Sequence, residues 1–307
     1  MIVTLAGGVG AARFLKGLCL VRNPRELVAV INTADDIVLH GLHISPDIDT
    51  VTYSLAGVDN PETGWGIAGE TWKAMKSLDF LGGDAWFQLG DKDLGTHLFR
   101  TSQLGEGVSL SDVTAEIASR FSVEVNLIPM SNDKISTFVT LKDNGNEVSF
   151  QEYFVKLKHS VPIKSIRFDG SESGQPGPNV ISSILEAEKI VIAPSNPLVS
   201  IGPILSISEI ESAVRSRRES TVAISPIVNG LALKGPADRM MQELGHEPSV
   251  VGIARIYKDL AATLVIDYAD EEHKESIESL GMHCVVTDTV MSSPEISASL
   301  ASIVLGL

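Results

Sequence analysis

The chain opens on a nearly unbroken apolar run, Ile2-Val3-Thr4-Leu5-Ala6, and apolar residues then recur at helical spacing through Phe14, Leu15 and Leu18 before running together again over 27–31. Short continuous apolar runs mark strands buried on both faces, whereas a spacing of three to four marks one face of a helix. The opening therefore predicts a β-α-β unit with its helix over residues 11–21. The alternation returns in the C-terminal half, where strands are expected near 189–193, 221–224, 264–266 and 284–286. A helix over 236–244 has Pro at its first turn and stops before Gly245. These elements predict an α/β fold, a Rossmann-like parallel sheet with helices on both faces.

Between the halves the pattern changes. Helical stretches fall around 70–78 and 110–121, and a hairpin is expected with 135–141 paired to 148–155 across Asp143-Asn144-Gly145-Asn146. Residues 70–160 thus read as an inserted α+β segment, an insertion or lid within one domain spanning 1–307. Residues 169–178, rich in Gly, Ser and Pro, form a loop ahead of the second half.

Composition narrows the classes of function. Of 307 residues, 44% are hydrophobic and 21% charged, which is ordinary globular usage and excludes a disordered or fibrous chain. No apolar run approaches the roughly 18 residues of a membrane span, and the N-terminus lacks the basic region of a signal peptide, so a cytoplasmic protein without membrane attachment is expected. The two cysteines, Cys19 and Cys284, lie among apolar residues and read as buried thiols. A net charge of −15 argues against a nucleic-acid partner, because that affinity comes largely from Lys and Arg on phosphates. Small phosphorylated ligands need only a local nest of N–H groups or a bound cation.

Two loops carry candidate chemistry. Gly7, Gly8 and Gly10 fall between the first strand and its helix, where they let backbone N–H groups approach an anion. The dinucleotide fingerprint G-x-G-x-x-G is broken, since Arg13 occupies its third glycine position, and the Walker A signature is absent. A nicotinamide dehydrogenase is thereby disfavoured. After the second strand comes N-T-A-D-D-I-V-L-H-G-L-H-I-S-P-D-I-D-T, with Asp35, Asp36, Asp47 and Asp49 close together. Carboxylates this close repel one another, and a Mg²⁺-like ion bridging them to a phosphate relieves the repulsion. The alternative is turn and cap chemistry on a solvated surface. His40 and His43 read as structural or substrate-contacting histidines rather than zinc ligands, since no Cys or third His stands at suitable spacing. A third polar loop, A-P-S-N-P-L-V-S-I-G-P-I-L, places Ser195, Asn196, Ser200 and Gly202 at a strand end, where they serve either as caps or as ligand contacts.

Six ordered blocks give the chain a resemblance: the acidic loop, E-T-G-W-G-I, L-G-D-K-D-L-G-T-H-L, F-Q-E-Y-F-V, A-P-S-N-P-L-V-S-I-G-P-I-L and S-P-I-V-N-G…K-G-P-A-D. Over residues 1 to about 270 they resemble the CofD family, the 2-phospho-L-lactate transferases of coenzyme F-420 biosynthesis. The resemblance implies transfer of a phospholactyl or phosphoenolpyruvyl group from a guanosine diphosphate-linked donor to the deazaflavin Fo, with Mg²⁺ as cofactor and a homodimer as the assembly. It implies Asp35 and Asp49 as metal ligands, with Asp36 and Asp47 acting through water or as base. Gly7, Gly8, Gly10, Asn32, Thr33, His40, His43, Ser195, Asn196, Ser200, Gly202, Lys234 and Asp238 would contact substrate, and Trp65, Asp91 and Lys92 the deazaflavin. The family often has Arg where this chain has Lys92, and Lys cannot form Arg's bidentate fork. A related branch, nucleotide-sugar-binding regulatory proteins without transferase activity, shares the glycine loop but not the D-I-D-T, G-W-G-I and F-Q-E-Y-F-V blocks.

Overall fold

The structure, a computed structural model, describes residues 1–61 and 64–307; Glu62 and Thr63, which open the E-T-G-W-G-I block, lie outside the described residues. The first half runs β1 (Ile2–Ala6), α1 (Gly8–Val21), β2 (Leu27–Ile31), β3 (Ile37–Leu39), β4 (Leu42–Ile44), α2 (Pro46–Leu55), α3 (Lys73–Phe80), α4 (Asp93–Gly105), α5 (Leu110–Arg120) and β5 (Asn126–Pro129). There follow β6 (Ser136–Leu141), β7 (Glu147–Ser149), β8 (Ile163–Asp169), α6 (Val180–Glu186), β9 (Lys189–Ile192), α7 (Gly202–Leu205), α8 (Ser208–Ser216) and β10 (Thr221–Ile224). The chain ends with β11 (Ile227–Val228), β12 (Leu231–Ala232), α9 (Ala237–Glu243), α10 (Val250–Tyr257), β13 (Thr263–Asp267), α11 (Lys274–Glu278), β14 (His283–Thr287) and α12 (Pro294–Gly306).

Seven parallel strands form the main sheet in the order β14-β13-β10-β9-β1-β2-β5. Alternate residues face opposite ways along a strand, so each strand feeds two cores. Val3 and Leu5 join a core with α6, α8 and α10, while Ile2 and Ala6 join another with α1, α2 and α12. Helices therefore cover both faces, and that burial explains why the strands are so uniformly apolar. Gly17 lets α1 pack closely on α12: a Cβ there would stand 2.3 Å from the Ser297 carbonyl oxygen. The strand order reverses between β1 and β9, which is where parallel sheets open a ligand crevice at the carboxyl ends of their strands.

The central segment differs from expectation in three places. Residues 70–160 send β5 into the main sheet as its edge strand, where Pro129 is tolerated because no further strand needs its missing N–H. The hairpin strand expected over 148–155 ends at Ser149 and gives way to a π-helical turn, Glu152–Lys156. Tyr153 and Phe154 follow Phe150 by three and four residues, which suits a helical turn packing aromatics on one side. The hairpin gains a third strand, β8, antiparallel to β6. Cys19 and Cys284 are both free, and burial pushes each thiol up to about 11. Among the described residues no single helix is long and apolar enough to cross a membrane.

Candidate active site

The glycine loop and the third polar loop meet at the point where the strand order reverses. Ser195 Oγ donates to the Gly7 carbonyl at 2.6 Å, and a Cβ on Gly10 would fall 2.1 Å from the Pro194 carbonyl oxygen. Close packing of the first turn of α1 on the loop after β9 thus accounts for Gly10. Gly7 is hemmed by Ser200 and Asp47, since a Cβ there would be 2.7 Å from Ser200 Cβ and 2.9 Å from Asp47 Oδ2. Gly8 adopts a left-handed φ of 67°, and its N–H reaches the Asp47 carboxylate. Asn196 caps the following turn, accepting from Leu198 N at 2.9 Å, and Gly202 lies against Phe168.

Asn32, just past β2, ties the acidic loop together. Its amide donates to Asp35 Oδ2 at 3.1 Å and to Asp47 Oδ2 at 3.0 Å, while its carbonyl oxygen accepts from Ala34 N. Burial, and then the Asp47 charge, holds the Asp35 carboxyl well above the usual range. Asp47 is raised to about 6, chiefly by burial, against hydrogen bonds from Asn32 and Gly8. Asp36 is raised by burial too and accepts from Ser45 Oγ at 2.6 Å. His43 Nε2 stands 4.0 Å from Asp36, and burial with the nearby Arg100 charge lowers its pKa to about 4, which leaves it neutral near pH 7. His40 sits exposed in the β3–β4 turn with a left-handed φ of 53°, and Thr33 is buried beside Asn32.

Asp49 belongs to a second buried group that the sequence reading did not contain. Arg100, fully buried on α4, forms an ion pair with Asp49 and bonds its Oδ2 at 3.1 Å. Arg100 also reaches His97 Nδ1 at 3.3 Å, and His97 Nε2 stands 3.3 Å from Asp93. Tyr53 OH donates to Asp93 at 2.6 Å. Burial works against ionisation of Asp93, but His97 and Tyr53 outweigh it and hold this carboxyl below the usual range. The spacing Asp93, His97, Arg100 places all three on one helix face; the first two lie within L-G-D-K-D-L-G-T-H-L and Arg100 two residues beyond it.

Asp47, Asp49, Asp93 and His97 share a cavity of about 500 Å³ with Gly8 and a set of aromatic rings that includes Trp65, Trp86 and Phe154. Asp91 and Lys92 make local contacts: Asp91 accepts from Lys73 N and Ala74 N at the start of α3, and Lys92 Nζ donates to the Ala68 carbonyl. Lys234 stands beside Gly64, its pKa lowered by burial and by the Arg13 charge, and Asp238 lies in the first turn of α9.

Two donor sets suit a cation to different degrees. Asp49, Asp93 and His97 offer atoms within 4.8 Å of one another and could hold a metal ion, yet Arg100 and Tyr53 already occupy that group. Among the described residues the Asp35–Asp47 pair has no positive partner, and Asp35 Oδ1 finds no well-aligned donor. Its hard oxygen donors fit a Mg²⁺-like ion.

The molecule is a Rossmann-like α/β protein with a glycine turn, buried carboxylates and an aromatic cavity gathered at the crevice where such folds take small ligands. The model of the family described as 2-phospho-L-lactate transferase CofD matches residues 2–302. The chain belongs to this CofD family. It is 40% identical over 311 residues to the phosphoenolpyruvate transferase of Kitasatospora aureofaciens, covering 100% of this chain and 97% of the relative. It is 37% identical to the phosphoenolpyruvate transferase of Nocardia farcinica, covering 97% and 92%. A crystal structure of a UPF0052 family protein from Bacillus halodurans shares the fold, with a TM-score of 0.64 at 16% identity over 99% of this chain and 98% of that one.

Proposed function

We propose that this protein transfers a phosphoenolpyruvyl or phospholactyl group from a guanosine diphosphate-linked donor to the 5′-hydroxyl of Fo. The hydroxyl oxygen attacks the phosphorus that carries the three-carbon acid, the phosphoanhydride bond breaks, and GMP leaves with the electron pair. Family membership and the relatives' names support the transferase class over a binding protein. The observation that carries the reading is the buried Asp35–Asp47 pair, bridged by Asn32 and touching the Gly8 amide at the edge of an aromatic cavity.

Asp35 and Asp47 would hold Mg²⁺, which supplies positive charge against the phosphate oxygens; Asp49, bonded through both oxygens to Arg100, is no direct ligand. Gly8, where a Cβ would meet only Asp47 Oδ1 at 3.6 Å, leaves room for those phosphates beside the N-terminus of α1, while Gly7 lets Ser200 and Asp47 close on the turn. Ser195 fixes the glycine loop, and Asn196, Ser200, Gly202, Lys234 and Asp238 surround the nucleotide portion. Trp65 and the facing rings take the flat deazaflavin, for which stacking is the natural contact. Asp49, on the same wall, takes the hydroxyl proton. Closure of the cavity around both substrates raises their effective concentration and excludes water from the reacting phosphorus. Two such protomers would form the working dimer, in the cytoplasm.

Incubating the purified protein with Fo, Mg²⁺ and each guanylylated acid in turn, with mass detection of product, tests the reading. An F-420-0 or dehydro-F-420-0 mass together with GMP is expected. GMP released without a deazaflavin product would mean a hydrolase and would sink it.

A further inference from the structure

Residues 150–159 form a strap along one wall of the 500 Å³ cavity, and α9 holds it from outside. Phe150, Phe154 and His159 make a ladder of rings on this strap. Phe150 and Phe154 stack with centroids 5.4 Å apart and Phe154 and His159 at 5.2 Å, with interplanar angles of 24° and 28°. All three line the cavity, so the ladder offers a flat ring a ready stacking surface.

The strap is not self-supporting. Lys158 and His159 both adopt left-handed backbone, with φ of 50° and 41°, a conformation that side-chain-bearing residues rarely take and that neighbours must hold in place. The neighbour is Arg239. Its Nη2 donates to Tyr153 OH at 2.6 Å and to the His159 carbonyl, so one guanidinium spans the strap's middle and its far end. Glu243 lies 3.2 Å from Arg239 Nε and accepts from Ile163 N at 2.8 Å, which fixes the guanidinium against the start of β8. At its near end the strap is tied to the acidic loop, where Gln151 Nε2 donates to the Asp35 carbonyl at 3.2 Å. Met240, next to Arg239, packs in one core with Phe150, Tyr153 and Val199.

We propose that Phe150, Phe154 and His159 are the wall against which the acceptor's ring stacks, and that Arg239 is the positioning residue that fixes this wall. Arg239 touches neither substrate; it acts through Tyr153 and His159. The proposal rests on the deazaflavin reading of the cavity.

Arg239→Met removes both hydrogen bonds while keeping the side chain's length. The expected result is a rise of about tenfold in KM for Fo, matching the loss of one or two hydrogen bonds, with the donor KM and kcat within about twofold of wild type. Amide hydrogen exchange over 152–159 should quicken by about the same factor. Tyr153→Phe, which loses one of the two bonds, should move both readouts in the same direction by less, and it carries the test if Arg239→Met fails to fold. Faster exchange with an unchanged Fo KM would show that the strap is not the acceptor wall. Unchanged exchange would show that Arg239 does not hold it, and an equal rise in the donor KM would mean a general loss of structure; each overturns the proposal. If the wild-type protein turned over no deazaflavin, the functional reading itself would fall, and the acceptor-wall assignment with it, while the exchange rates still decided whether Arg239 secures the strap.

Discussion

Replacing Arg100 by Met should unfold the acidic side of the cavity or nearly so. The Arg100 side chain is 0% exposed and that of Asp49 8%, so the pair sits where a lone carboxylate has no water to stabilise it. Removing one partner of a buried ion pair costs about 3 to 5 kcal/mol, because the other charge stays behind uncompensated. Arg100 also bonds His97 and lowers the cost of ionising Asp36, so the upper end of that range applies. A domain of this kind has about 5 to 15 kcal/mol in total, so the variant loses from about a third to all of its stability. Urea unfolding followed by circular dichroism reads the loss as a shift of midpoint at constant slope. The double variant Arg100→Met with Asp49→Asn should recover more than half of the loss, since the Asp49 charge is then no longer left unpaired. A single-variant cost below about 1 kcal/mol, or strict additivity in the double variant, would refute the reasoning.

Other perturbations have equally definite outcomes. Because the folded pKa of Asp47 is raised to about 6, the metal-free protein should gain stability as pH falls from 7 towards 4, on the order of 2 kcal/mol, as the buried charge is neutralised; saturating Mg²⁺ should flatten or reverse that slope, and an unchanged slope would speak against a cation at Asp47. Gly10→Ala should cost more than about 2 kcal/mol, since its methyl would meet the Pro194 carbonyl at 2.1 Å, whereas Gly95→Ala, which meets nothing within 4 Å and lies inside α4, should be neutral or stabilising in thermal melts. Asp35→Asn and Asp47→Asn should each retain the fold by circular dichroism and lose at least about a hundredfold in turnover, with the Mg²⁺ concentration for half-activity raised.

What the sequence disclosed depended on whether a position's pattern had one physical meaning. The apolar runs of β1, β2, β9, β10, β13 and β14 could only be buried strands, and all six are there. β5 was hidden because Asn126 opens it and Pro129 closes it, residues at home only on an edge. The stretch 148–155 reads as a hairpin strand, but past Ser149 tertiary packing of Phe150 and Tyr153 decided for a helical turn. The acidic loop was legible as a unit, since four aspartates close in sequence after a strand end cannot ignore one another, and Asn32 and Ser45 within it bind three of them, but the partner of Asp49 came from elsewhere in the chain. Nothing near Asp49 points to Arg100, 51 residues on, and a helix face bearing Asp, His and Arg looks solvated until the fold buries it. The same holds for Arg239, whose role appears only when residues 80 positions apart meet.

The most direct test of the account is a crystal structure with the guanylylated donor and Mg²⁺. The account predicts the diphosphate beside Gly7 and Gly8, and the ion about 2.0 to 2.1 Å from carboxylate oxygens of Asp35 and Asp47. An ion bound only by the donor, or a donor seated away from the glycine loop, would contradict it.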